Sequence, residues 1–125
     1  LLYEFIKEIK LSNRKKIFVG PAKLEKVNDL INSNTQIKVP PNHTFSEYER
    51  IKAECLHNIK EDCIFIFSCG MPSKVLIDDI LSVEEKLTCL DFGSGFDNII
   101  LDWHTRDGQT NLSVMKKFYE TLLTR

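Results

Sequence analysis

The sequence predicts an α/β fold in which a mostly parallel sheet of about four strands lies between layers of helices. Short apolar segments typical of buried strands alternate with longer segments whose apolar residues recur every three or four positions, as in amphipathic helices. Strands separated by helices cannot pair as hairpins, so they are expected to pair in parallel through right-handed crossovers. The 125 residues suffice for one domain with a single core. We therefore predict a single Rossmann-like three-layer sandwich over residues 1–125.

The central unit of this pattern is residues 63–81, CIFIFSCGMPSKVLIDDIL. Ile64–Phe67 is an apolar run without a polar break, as expected for a strand covered on both faces. Gly70 turns the chain, and Pro72 falls where the first turn of a helix tolerates proline. The helix is predicted over residues 73–82. Its expected inward side chains are Val75, Leu76, Ile80 and Leu81.

Further helices and strands are predicted on both sides of this unit. Before it we expect a helix over residues 1–11, a strand over 16–20, a helix between Pro21 and Asn32, a strand over Thr35–Val39 and a helix that begins at Thr44. The first helix presents Leu2, Phe5, Ile6 and Ile9 on one face. Thr44 and Glu47 have the spacing of a capping box. After the unit we expect a strand over residues 87–92, an irregular segment over 96–109 and a last helix over 111–123.

Composition limits the classes of function. The formal charge of −1 gives no general attraction to nucleic acid or to anionic lipid. No apolar run approaches the roughly 20 residues that span a bilayer, and the charged N-terminus does not resemble a secretory signal. The four cysteines form no CxxC pair, so we expect reduced thiols and a cytoplasmic protein. Because the chain begins with Leu inside a helical pattern, we expect an upstream portion to be missing.

The loops that follow the strands are the expected site, because ligands bind at the carboxyl ends of parallel strands. These loops contain residues 20–23, 41–44, 70–74 and 91–97. Glycine at a strand-to-helix turn leaves backbone N–H groups free for phosphate, and Lys23 and Lys74 fall where they could reach an anion. Alternatively, the two glycines only permit tight turns and the lysines are solvated. Neither GxGxxG nor GxxxxGK[ST] is present, so both interpretations stay open.

The acidic end of the fourth strand has several interpretations. Asp91 can bind a ligand or can cap the following turn, and Asp97 with Arg106 can form a local ion pair of little energetic weight. The stretch LDFGSGFD (residues 90–97) also looks like the first motif of methyltransferases that use S-adenosylmethionine. That motif normally follows the first strand of its sheet, whereas three predicted strands precede it here.

Taken together, the motifs from about residue 16 to residue 106 resemble the GT-D glycosyltransferases, a class of small bacterial Rossmann-like enzymes. The matching pieces are FVGPAKL, VPPNHTF, IFSCGMPSKVLIDDIL, and LDFGSGFD followed by HTR. The resemblance implies transfer of a sugar from a nucleotide diphosphate donor to a glycan or glycoprotein acceptor, as in polysaccharide biosynthesis.

The resemblance also implies roles for particular residues. Those that would line the nucleotide pocket are Gly20, Pro21, Asn42, Gly70 and Lys74. Those that would line the sugar or acceptor side are Asp91, Ser94, Asp97 and Arg106. The family holds Mn²⁺ or Mg²⁺ through an Asp-x-Glu motif near the start of the domain. This chain has no Asp-x-Glu, so either residues outside it hold the cation or this copy has lost the metal. The alternatives are a non-catalytic Rossmann-like module that binds a nucleotide or a partner, and the methyltransferase.

Overall fold

The computed structural model describes residues 2–40, 44–59, 62–70 and 72–93, and it confirms an α/β sandwich of Rossmann-like type. The helices are α1 (Leu2–Leu11), α2 (Val27–Ile31), α3 (Tyr48–His57) and α4 (Pro72–Val83), with short 3-10 helices at Ala22–Leu24 and Thr44–Glu47. The strands are β1 (Lys16–Pro21), β2 (Thr35–Val39), β3 (Ile64–Phe67) and β4 (Thr88–Asp91). The predicted irregular segment over 96–109 and the predicted helix over 111–123 lie outside the described residues.

The four strands form one sheet in the order β2-β1-β3-β4, and every pair is parallel. After β1 the chain moves to one side to form β2, and it then crosses β1 to form β3 and β4 on the other side. This reversal makes the gap between β1 and β3 the topological switch point of the sheet. In open parallel sheets, ligands bind at the carboxyl ends of the strands beside such a gap.

Within the described part of the chain, two helices pack on each face of the sheet, because successive strand residues point to opposite faces. On one face, α1 and α2 pack on Phe18, Ile64 and Ile66. On the other face, α3 and α4 pack on the alternate strand residues, including Val19, Phe65 and Phe67. All four residues of β3 are buried. The uninterrupted apolar run Ile64–Phe67 is therefore explained by a central strand with helices on both sides, as predicted.

The helix predicted between Pro21 and Asn32 is a 3-10 turn followed by the short α2. β1 continues through Pro21, which is buried, so the helical connection starts later than expected. The Glu25 N–H donates to the Ala22 carbonyl at 3.1 Å, which closes the 3-10 turn. Asn32 then ends α2 in the left-handed conformation, with φ 55°. The connection is therefore compact and has no long helix next to the end of β1.

The α-helical part of the third helix begins at Tyr48 rather than at Thr44. Glu47 is its N-cap and forms no side-chain capping hydrogen bond. Instead, the Glu47 carboxylate accepts a hydrogen bond from Arg50 Nε at 2.8 Å. Glu47, the glutamate of the expected capping box, therefore binds the side chain of Arg50, one helical turn further along the chain.

Two side chains that the helical pattern placed inward are largely exposed. Val75 is 46% exposed because α4 contacts the sheet through the narrower stripe of Leu76 and Ile80, which are fully buried. Phe5 is 43% exposed, and its ring centroid lies 6.0 Å from that of Phe92, just beyond the end of β4. Phe5 therefore covers the edge of the sheet and not its centre.

Arg14 links several segments at the edge of the sheet that is opposite the carboxyl ends of the strands. Arg14, just before β1, donates to the carbonyls of Asp62 (Nε, 2.6 Å) and Cys63 (Nη2, 3.2 Å). The same Nη2 atom donates to Thr88 Oγ1 at 2.9 Å. Arg14 Nε also lies 3.1 Å from the carboxylate of Asp62. The guanidinium thus links the segments that lead into β1, β3 and β4.

All four cysteines are free thiols, in agreement with the predicted absence of disulfides. Burial raises the pKa of Cys55 to about 12 and that of Cys89 to about 11. Because the thiolate is the nucleophile, we expect little reaction of the folded chain with iodoacetamide at pH 8, and rapid reaction in urea. Mass spectrometry of the alkylated protein measures this, and fast modification of Cys55 before unfolding would contradict the buried core. Among the described helices, none is long and apolar enough to cross a membrane.

Candidate functional site

The candidate site is the edge of the sheet formed by the carboxyl ends of β1 and β3. The register pairs Gly20 with Lys38 of β2 and Val19 with Phe67 of β3. The ladder continues past β3, because the Ser68 N–H donates to the Val19 carbonyl at 2.9 Å. Ser68 is therefore the β3-side neighbour of Gly20 in the last row of the sheet, beside the switch point.

The structure brings several of the predicted site residues to this edge. Gly20 and Pro21 end β1, Asp91 ends β4, and Gly70 and Lys74 lie in the turn after β3 and the first turn of α4. The other predicted site residues lie outside the described residues: Asn42, Ser94, Asp97 and Arg106. The strand order thus gathers the described candidates at one edge, as expected from parallel topology.

Gly20 has a packing role. A Cβ atom at this position would lie 2.4 Å from Cζ of the Phe18 ring, well inside van der Waals contact. The carbonyls of Gly20 and Pro21 each accept a hydrogen bond from Gln36 Nε2 at 3.1 Å. Gln36 is itself held by Asn28, whose Nδ2 donates to Gln36 Oε1 at 2.8 Å. The end of β1 is therefore a fixed, packed segment. Gly20 lies within the strand, where the Phe18 ring leaves no room for a Cβ, and so it forms neither the expected tight turn nor a phosphate loop.

The turn after β3 differs from the end of β1 because it is open. Gly70 is exposed and has φ +76°, and apart from its chain neighbours no atom of the described residues lies within 4 Å of the position that a Cβ would occupy. The left-handed conformation explains why glycine is needed here. The Gly70 carbonyl accepts from the Ser73 N–H at 3.0 Å, which leads the chain into the 12 residues of α4. Lys74 is exposed in the first turn of that helix.

Electrostatics at the open turn favour an anion. A helix N-terminus carries a partial positive charge and unpaired N–H groups. Lys74 adds a full positive charge, and within the described part of the chain its ammonium has no hydrogen bond or ion pair. Beside it, the Cys69 Sγ lies 3.1 Å from Ser73 Oγ. Burial raises the pKa of Cys69, so this thiol stays neutral near the turn.

Asp91 acts at least in part as a turn cap. Its Oδ1 accepts a hydrogen bond from the Gly93 N–H at 3.0 Å, and Gly93 has φ +53°. This is the capping interaction that the sequence left open as one alternative. The carboxylate is exposed, so its other oxygen stays accessible. After burial, the negative charge of Asp91 is a further cause of the raised pKa of Cys69.

Ser68 is the site residue that sequence reasoning missed. It is 7% exposed, and its Oγ makes no hydrogen bond within the described part of the chain. A buried hydroxyl without a partner is uncommon in folded proteins and calls for an explanation. The signal in the sequence was a serine directly after an otherwise apolar buried strand.

The described residues do not form a cation site. They contain no cluster of three His, Cys, Asp or Glu side chains that could hold a metal ion. Asp91 already uses one oxygen for its own turn, and a hard cation such as Mg²⁺ needs several oxygen ligands.

Comparisons of the chain with models of known protein families, with curated proteins and with solved structures gave no match.

Proposed function

We propose that this chain is the donor-binding domain of a GT-D-like glycosyltransferase, which binds a nucleotide diphosphate sugar at the switch point. The observation that carries the proposal is the open turn at Gly70, followed by the N-terminus of α4 with Lys74 in its first turn. This is the only strand-to-helix turn among the described residues that combines a left-handed glycine with a helix longer than eight residues. The resemblance to GT-D enzymes supplies the substrate class.

The chemistry of sugar transfer explains why such a turn is useful. When the sugar leaves its donor, negative charge grows on the departing diphosphate, and fixed cations and helix N–H groups offset that charge. Lys74 and the first turn of α4 would serve this purpose. Asp91, with Ser94, Asp97 and Arg106 from the following segment, would line the sugar and acceptor side. The acceptor would be a glycan or glycoprotein, and the reaction would take place in the cytoplasm.

Titration calorimetry with UDP and UDP-glucose, each with and without Mn²⁺, tests the proposal. We expect saturable binding of both nucleotides, and binding strengthened by the cation would favour the transferase over the non-catalytic module. No uptake of either nucleotide would contradict the proposal.

Replacing Lys74 with alanine is expected to weaken UDP-glucose binding about tenfold, because a charge-assisted contact to phosphate contributes on the order of 1.5 kcal/mol. Arg106→Ala is expected to act in the same direction. Lys86→Ala is the matched control, since Lys86 is exposed in the turn before β4, at the opposite edge of the sheet. Calorimetry of the three variants measures the effect, and unchanged affinity in both Lys74→Ala and Arg106→Ala would remove these residues from the site.

The second candidate is a non-catalytic module that binds a nucleotide or a protein partner. It is favoured by the packed end of β1, where Phe18 fills the space beside Gly20, and by the use of Asp91 as a turn cap. Nucleotide binding without sugar transfer would support this candidate. The methyltransferase is less favoured, since its expected acidic strand end is on edge strand β4 and not on β1. Saturation by S-adenosylmethionine, in place of UDP-sugars, would restore it.

A further inference from the structure

The buried hydroxyl of Ser68 lies at the edge of the sheet where the proposed ligand would bind. Strand alternation places Ser68 on the same face as Ile64 and Ile66, which is the face covered by α1 and α2. Its neighbours in the last row are Gly20 of β1 and Phe92, which follows β4; the Phe92 N–H donates to the Phe67 carbonyl at 2.9 Å. Gly20 has no side chain that could accept or donate a hydrogen bond. Ser68 therefore has no partner across either neighbouring strand.

The described side chains next to this hydroxyl are mostly apolar. The row beneath it contains Phe18, Ile66 and Leu90, which belong to or pack against the same core cluster. That row ends in Gln36 of β2, whose Nε2 is already used by the carbonyls of Gly20 and Pro21. Lys38 shares the last row but is exposed on edge strand β2, two strands away, at roughly 10 Å by the spacing of a sheet. In these two rows of the described sheet, Lys38 is the only charged side chain on this face, so a charged ligand group here would lose its water without a close counter-charge, which is costly. A neutral hydroxyl group that can both donate and accept suits Ser68 better.

We propose that Ser68 Oγ hydrogen-bonds a hydroxyl group of the bound nucleotide sugar, while the diphosphate lies at the N-terminus of α4. This inference rests on the proposed function. The charged diphosphate would then lie at the exposed turn after β3. A neutral part of the ligand would lie against the buried serine at the same edge of the sheet. The ligand hydroxyl belongs to either the ribose or the transferred sugar.

The test is Ser68→Ala, measured in two ways on the whole chain. In the absence of ligand, we expect the variant to melt about 4 °C higher than wild type, because it no longer buries an unpaired hydroxyl. Binding of UDP-glucose is expected to be about tenfold weaker, because the ligand hydroxyl loses its partner. An equal loss for UDP would place the contact at the ribose, whereas a loss confined to UDP-glucose would place it at the sugar.

Ser33→Ala is the control, because the Ser33 hydroxyl has partners and lies at the opposite edge of the sheet. Ser33 Oγ donates to the Thr35 carbonyl at 2.9 Å and lies 3.3 Å from the Lys16 carbonyl, so its loss should lower the melting temperature and leave affinity unchanged. A lower melting temperature for Ser68→Ala, or unchanged affinity for UDP-glucose, would overturn the inference while leaving the proposed function intact. Failure of wild type to bind either nucleotide would overturn both.

Discussion

Replacing Gly20 with alanine is expected to lower the free energy of unfolding by about 2 kcal/mol, the usual cost of overpacking a core. The added methyl would lie 2.4 Å from Cζ and 2.8 Å from Cε2 of Phe18. Phe18 is fully buried between the sheet and the helices α1 and α2, so its ring cannot move into solvent. Urea denaturation measures the change, and an unchanged m-value shows that the folded state is otherwise preserved.

A second substitution tests the cause of this loss. In a Phe18→Leu background the smaller side chain leaves room for the methyl, so Gly20→Ala should cost less than about 1 kcal/mol there. The difference between the two backgrounds is the coupling energy of the pair. If Gly20→Ala left stability unchanged and only weakened nucleotide binding, Gly20 would belong to the ligand pocket and not to the core.

The second large effect is expected from Arg14→Ala, which should lower the free energy of unfolding by about 2–3 kcal/mol. The guanidinium donates to two backbone carbonyls and to Thr88 Oγ1, and it joins segments that lie 48 to 74 residues away in the chain. Its removal would leave the partly buried acceptors of Cys63 and Thr88 without their charged donor. Arg14→Lys should recover only part of the loss, because an ammonium cannot reproduce the planar fork of donors.

Arg50→Ala is the matched control for this prediction. Arg50 also has several acceptors, including Glu47, Glu54 and the Lys38 carbonyl, but it lies on the exposed surface of α3. Exposed ion pairs contribute little, so its loss should cost about 0.5 kcal/mol. Equal effects of the two alanine variants in urea denaturation would show that the Arg14 contacts are no stronger than surface pairs.

The sheet could be predicted from the sequence because each strand has a distinct apolar pattern. Ile64–Phe67 has no polar residue, and the structure buries all four of its side chains in the central strand β3. Parallel pairing could be predicted from the helices between the strands. Parallel pairing in turn predicted that Gly20, Gly70 and Asp91 lie at one edge of the sheet. Exact strand order was not predicted, because local periodicity carries no information on which strands are neighbours.

The parts that could not be predicted depend on contacts between distant segments. Lys16 is an example: it is 3% exposed, and its ammonium donates to the Lys10 carbonyl at the end of α1 at 3.0 Å. Burial lowers the pKa of Lys16, and no local pattern reveals a lysine in this position. Likewise, the packing role of Gly20 depends on the ring of Phe18, and the unpaired hydroxyl of Ser68 depends on its neighbours in two other strands.

Backbone amide spectra of the ¹⁵N-labelled chain, recorded during titration with UDP-glucose and Mn²⁺, test the central claim most directly. We expect the largest chemical-shift changes at Ser68, Gly70 and Lys74, where the carboxyl end of β3 and the start of α4 would contact the ligand. Amides at the opposite edge, such as those of Arg14 and Thr88, should stay unperturbed. Shifts concentrated at that opposite edge, or none at saturating nucleotide, would contradict a donor site at the switch point.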